Sequence, residues 1–278
     1  MDGRLGATIK RAWATALPAA LAVALLAALL SGPMTARAQD AAADQNAAKA
    51  RAVLNEMVQA LGGEKWLNLK NEMFRGHIAA FFHGQPDLGT TQVWQFHQWP
   101  DHDRIEVTKH RDVVDFFIGN EGWEVTYRGK APLPKDIVDE FLRRRAHSIE
   151  TAVKVWMKDP KTILIFEGQH MANRHMGDQV TLIAADNQAI TILADTQTHL
   201  PIESSFQWRD PVYHDKNTET EDYTDYHVVD GLPAPFTISR TKNGEMTREF
   251  FVTEVQFNRT LPAEFWDVNA TARRIKKK

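Results

Sequence analysis

The 278-residue chain contains no cysteine. No disulfide can staple it, no thiol can act as a nucleophile, and no lipobox cysteine can carry an acyl anchor. Serine is scarce beyond residue 38: Ser148, Ser204, Ser205 and Ser239 are the whole supply, and none sits in a G-x-S-x-G turn. H-E-x-x-H, P-loop and G-x-G-x-x-G patterns are also missing. That removes the local signatures of serine hydrolases, zinc peptidases, nucleotide hydrolases and dinucleotide binders. Nor is there an excess of positive charge: 33 Lys and Arg stand against 36 Asp and Glu. A general nucleic-acid role needs a basic face and is therefore disfavoured. There is no internal repeat, and no low-complexity tract beyond the Ala-rich stretch 39–50.

The one long hydrophobic run lies at the start. Arg4, Lys10 and Arg11 precede an Ala- and Leu-rich stretch from Ala12 to Leu30, followed by Gly32-Pro33 and the small-x-small triplet Ala36-Arg37-Ala38. This order predicts an export signal over 1–38, cleaved near Ala38, and a periplasmic location; an uncleaved anchor is the alternative. Loss of Arg4, Lys10, Arg11, Arg37 and Asp2 leaves 29 of 33 basic and 35 of 36 acidic residues, a net charge of about −6. The remaining length suits one domain, placed at 39–270 and expected to be monomeric. Residues 271–278, rich in Arg and Lys, read as a disordered basic tail.

The rest is mostly strand. Ala50, Val53, Leu54, Met57, Val58 and Leu61 recur at helical spacing, and Gly62-Gly63 supplies a stop. Alternating runs then predict strands over 73–83, 91–98, 104–109, 113–118 and 123–127. Val113 to Ile118 is apolar on both faces and is expected to be central. Pro132 to Trp156 reads as one long cationic amphipathic helix that packs on the sheet, covers the mouth of a cavity or meets a membrane surface. Strands resume over 162–167, 179–184, 189–194 and 200–208. The stretch Asn217–Phe257 predicts three more, turning at Val229-Asp230-Gly231 and Lys242-Asn243-Gly244. Leu261 to Trp266 reads as a short helical turn that tucks two aromatics in.

Histidine offers the remaining chemistry. His97, Asp101, His102, Asp103 and His110 cluster in sequence, as do His170, His175 and Asp178. Such groups could hold a metal, but no motif orders them, and most read as turn or polar-face residues. No metal and no cofactor is expected. The acidic run Glu219, Glu221, Asp222 and Asp225 lacks the ligand spacing of a calcium loop and reads as a solvated strand edge.

Three passages carry a family resemblance: 57–67, MVQALGGEKWL; Ile190–Pro201, ITILADTQTHLP; and 222–258, with Tyr226, Val229-Asp230-Gly231-Leu232, Pro235 and Asn243-Gly244. Together they resemble the LolA-like superfamily of lipoprotein and lipid carriers, and the outer-membrane lipoprotein-sorting group within it. The resemblance implies a mainly β fold: an incomplete, strongly curved antiparallel barrel with helices covering its concave face and an apolar cavity between. Where His97-Gln98-Trp99-Pro100 is set against the basic residue that precedes a proline in LolA, Trp99 stands in its place. The expected cavity lining is Phe74, Ile78, Trp94, Phe96 and Phe116, with Ile118, Phe141, Phe206 and Trp208. The function this implies is a non-enzymatic carrier or chaperone of lipid or acylated lipoprotein, with envelope membrane proteins as possible donor or acceptor. A scaffold with a self-filled cavity is the alternative; a metal-assisted hydrolase is a third reading.

Overall fold

A computed structural model describes residues 18–276, with side chains from Gln39 onward, Leu88 excepted. The whole of the expected export signal, and the last two lysines, therefore lie outside the described side chains. The chain divides into two compact units, Met1–Ala48 and Lys49–Lys278. In the first, the described residues belong to helix α1 (Pro18–Leu61). The second holds everything below.

After α1 come the one-turn α2 (Glu64–Leu67) and six strands: β1 (Asn71–Phe82), β2 (Gln85–Gln98), β3 (His102–Val107), β4 (Val113–Ile118), β5 (Glu121–Thr126) and β6 (Gly129–Pro132). Helices α3 (Lys135–Ala146) and α4 (Ile149–Lys154) interrupt them. Seven strands follow: β7 (Ile163–Ala172), β8 (His175–Ile183), β9 (Ala189–Asp195), β10 (Pro201–Arg209), β11 (Lys216–Val229), β12 (Leu232–Lys242) and β13 (Glu245–Phe257). The described chain ends with α5 (Val268–Lys276).

All thirteen strands form one antiparallel sheet in the order β6-β5-β4-β3-β2-β1-β13-β12-β11-β10-β9-β8-β7. It is two meanders joined along a single seam, β1 on β13. The outermost strands β6 and β7 are not paired with each other, so the sheet is an incomplete barrel rather than a closed one. The tight turns form where the sequence places them: Asp230 and Gly231, and Asn243 and Gly244, all take positive φ, as two-residue hairpin loops demand.

Two layers cover the sheet. On the inner face, the α1 positions from Ala50 to Leu61 that share one apolar stripe pack with Ala152, Val153 and Trp156 over β7, β8 and β9. Gly62 and Gly63 end that helix at φ 120° and 56°. On the outer face, Val114, Phe116 and Val125 pack against Ile275 of α5 and Trp266.

Several expectations are corrected here. β4 is third from an edge, not central; its two apolar faces are explained by α5 on one side and Phe141 of α3, stacked 3.6 Å from Phe117, on the other. The predicted helix 132–156 is two helices. Ser148 breaks it by capping α4: its Oγ accepts the Thr151 backbone N–H at 3.1 Å. The tail read as disordered is helical through Lys276, because Thr271 and Ile275 are buried against the sheet. The acidic run is no solvated edge: β11 lies between β10 and β12, and Glu219 is buried.

Candidate functional site

Alternation along the paired strands sends Glu72 and Phe74 of β1, Gln95 and His97 of β2, Glu221 of β11, Arg240 of β12 and Arg248 of β13 to the inner face, across the seam. Helices α3 and α4 lie over them. Between the layers is a cavity of about 380 Å³. A second chamber of about 240 Å³ adjoins it, and the two share Glu72, Phe74, Gln95 and Glu150.

The chambers differ in chemistry. The smaller is bounded mainly by Leu61, Trp66, Ile149, Tyr226, Ile238 and Phe257. The larger carries charged side chains among apolar ones such as Phe74, Ile105 and Phe141. His97 lines it: Nδ1 is 2.7 Å from Asp103 and Nε2 is 3.2 Å from Glu150. Glu150 also pairs with Lys154 one helical turn on. Arg145 reaches Asp103 at 3.2 Å and donates to the Asp101 carbonyl at 2.9 Å. Arg144 pairs with Glu219 at 2.5 Å, and Arg240 donates twice to Glu221, at 3.0 and 2.5 Å.

These contacts set the protonation states. Burial opposes a charge on His97, but its bonds to Asp103 and Glu150 outweigh that and push its pKa up to about 10, so it is cationic at neutral pH. Burial, with the Glu150 carboxylate beside it, pushes Glu72 up to about 7. Burial acts in the same sense on Glu150, yet His97 and Lys154 hold it below the usual carboxylate range.

Glu72 gives a pH prediction. Its folded pKa lies above the ordinary glutamate value of 4.5, so its contribution to stability is complete below about pH 4.5 and is lost as pH rises through about 7. Between pH 5 and 7.5 the wild type should therefore lose more stability than Glu72→Gln, by on the order of 2 kcal/mol. Urea unfolding of both proteins at the two pH values checks this; parallel profiles would refute it.

The residues expected to line the cavity separate into two groups. Phe74, Ile78, Phe206 and Trp208 are on the inner face, and Phe141 reaches it from α3. Of these, Phe74 and Phe141 border the larger chamber. Phe206 stacks on His147 at 4.4 Å and meets Trp208 at a tilt, 5.6 Å away, further along the sheet. Trp94, Phe96, Phe116 and Ile118 belong to the outer face. Trp94 lies under the guanidinium groups of Arg75 and Arg111. Phe96 borders the larger chamber, yet its ring packs edge-on against Phe265, and Phe116 and Ile118 pack under α5. The outer-face placement arises because the C-terminal segment covers what looked like a cavity wall.

Of the histidine clusters, only His97 and Asp103 meet within the cavity. His102 turns to Asp101 at 2.8 Å and His175 to Asp195 at 3.1 Å. Among the described residues no three His, Cys, Asp or Glu side chains gather as a metal site requires. Sequence reasoning missed Glu72, Arg144, Arg145, Glu150, Arg240 and Arg248. The available signal was alternation: Glu219-x-Glu221 and Arg240 sit at facing registers of adjacent strands.

No family model and no curated protein matches the chain. Solved structures do match. An outer membrane lipoprotein-sorting protein domain from Vibrio parahaemolyticus superposes with a TM-score of 0.56 at 12% identity, over 82% of this chain and 100% of that one. A DUF1329 family protein from Desulfovibrio piger gives 0.57 at 8% identity, over 81% and 99%. At these identities the likeness is one of fold: a curved, incomplete antiparallel barrel.

Proposed function

We propose that this protein is a cell-envelope carrier or chaperone that takes up an amphiphile, either a lipid or the acyl chains of a lipidated protein, between the sheet and helices α3 and α4. The observation that carries the reading is the two-chambered cavity: a compartment walled mainly by apolar and aromatic side chains beside one that holds the charged groups, the two sharing Glu72, Phe74, Gln95 and Glu150. A ligand with one greasy end and one polar end matches that division. Concave, mostly apolar space with a few placed polar groups is what ligand sites consist of. Each buried methylene contributes about 0.8 kcal/mol, so a dozen would contribute roughly 10 kcal/mol before the costs of association. The name of the Vibrio relative, lipoprotein sorting, agrees with this reading. No covalent chemistry is required. Export to the periplasm, cleavage near Ala38, a single folded domain from 39 to 270, a monomeric state and exchange with envelope membrane proteins belong to the same proposal.

The test is native mass spectrometry of protein purified from an exporting host, followed by organic extraction. A stoichiometric lipid or acylated peptide is expected. Ile238→Asp, which sets a charge in the apolar chamber, should lower retention at least tenfold, or about 1.4 kcal/mol, with the fold intact by circular dichroism. An empty protein that takes up no fluorescent fatty acid would favour a scaffold with a self-filled interior instead.

A further inference from the structure

Resting on the carrier reading, we propose that the cavity selects an anionic amphiphile and that Arg248 receives its acid group. Arg248 lies on β13 opposite Arg240 of β12 and lines the larger chamber. The other cations there have carboxylate partners: His97 has Asp103 and Glu150, Arg145 has Asp103, Arg144 has Glu219 and Arg240 has Glu221. Among the described residues Arg248 has no ion pair and no hydrogen-bond partner for its guanidinium, which lies 5.3 Å from the Phe250 ring. Glu221 and Glu219 attract it from beyond ion-pair distance, while burial first, and then Arg240 and Arg144, weigh against its charge and lower its pKa to about 9. It still carries its proton at neutral pH.

A half-buried guanidinium with unused donors, facing a cavity, is a fork shaped for a carboxylate or a phosphate. An anion placed there would gain charge-assisted hydrogen bonds and relieve the repulsion between Arg248 and Arg240. The apolar chamber lies alongside, reached past Phe74 and Gln95, which belong to both. An acid head at Arg248 therefore leaves an attached chain next to the compartment that suits it. A neutral amphiphile gains the second contribution only. Carboxylate and phosphate monoester share the recognising chemistry, and paired ligands separate them.

The experiment is displacement of the uncharged fluorophore N-phenyl-1-naphthylamine from the purified protein, with each competitor below its micellar concentration. The competitors are palmitate against palmityl alcohol, and lysophosphatidic acid against monoacylglycerol. The wild type should prefer the acid member of at least one pair tenfold or more, and the pair with the larger ratio names the head group. Arg248→Met should erase that preference while leaving displacement by the neutral member within twofold. Arg248→Lys should keep part of it. If Arg248→Met does not fold, the wild-type ratios and Arg248→Lys still decide. Equal displacement by acid and neutral members in the wild type overturns the inference but leaves the carrier reading standing. So does an acid preference that survives Arg248→Met. Failure of the fluorophore and of every competitor to bind removes the carrier reading and this inference together.

Discussion

Glu106→Gln is expected to lower the free energy of unfolding by about 3–5 kcal/mol, the cost of leaving a buried charge uncompensated. Arg104 and Glu106 are 1% and 0% exposed. Arg104 Nε donates to Glu106 at 2.8 Å, and Arg111 pairs with the other carboxylate oxygen. The same guanidinium donates to the Phe265 carbonyl at 2.5 Å and to Thr271 Oγ1 at 3.1 Å. It therefore fastens the C-terminal segment to the outer face of β3. With Glu106 neutral, Arg104, Arg111 and Arg274 would face one another without their shared counter-charge. The double variant Arg104→Met with Glu106→Leu should recover only part of the loss: an apolar pair needs no desolvation of ions, but the Arg104 bonds to Phe265 and Thr271 are lost with it. Urea titrations of the three proteins settle the matter. A single variant within 1 kcal/mol of wild type would mean that water reaches the pair.

Gly76→Ala should cost about 3 kcal/mol or more, the upper range for overpacking. Gly76 lies where the β1–β13 register shifts. A Cβ there would come 1.9 Å from the Phe251 carbonyl oxygen and 2.9 Å from the Val252 Cα. Both are backbone atoms of the neighbouring strand, which cannot swing aside as a flexible side chain can. Among the described residues the seam is the only ladder joining the two meanders, so the strain falls on the joint between halves. Gly84→Ala is the control. Its Cβ meets nothing within 4 Å, and only its φ of 70° is unfavourable, which costs about 1–2 kcal/mol. Equal urea midpoints for the two variants would show that the seam can yield.

Strands and turns were legible because they are local. Asp230-Gly231 and Asn243-Gly244 announce hairpins through backbone freedom alone, and the α1 stripe from Ala50 to Leu61 announces a buried face. The sign of each strand face was not legible. Period-two alternation says that Trp94 and Phe96 share one side and His97 lies on the other. It does not say which side looks inward. Around β2 to β4 both sides are covered, by α3 and α4 within and by the segment 265–276 without, so hydrophobicity could not decide. The site itself was hidden for a related reason. Glu221 looks like a surface charge until the register sets it opposite Arg240. The break at Ser148 could have been read as a helix cap, but the apolar spacing runs on through it and argues for continuity.

The two free rims of the sheet, β6 and β7, are consecutive in the chain, so the connector carrying α3 and α4 runs from one rim to the other. Sheet and connector are thus related as a bow to its string. The string has a joint at His147-Ser148, and it passes over the chamber it helps enclose. Its two ends, at Pro132 and Ile163, are thus fixed to opposite rims, and the helices that roof the chamber are tied covalently to both sides of the opening that the sheet leaves unclosed.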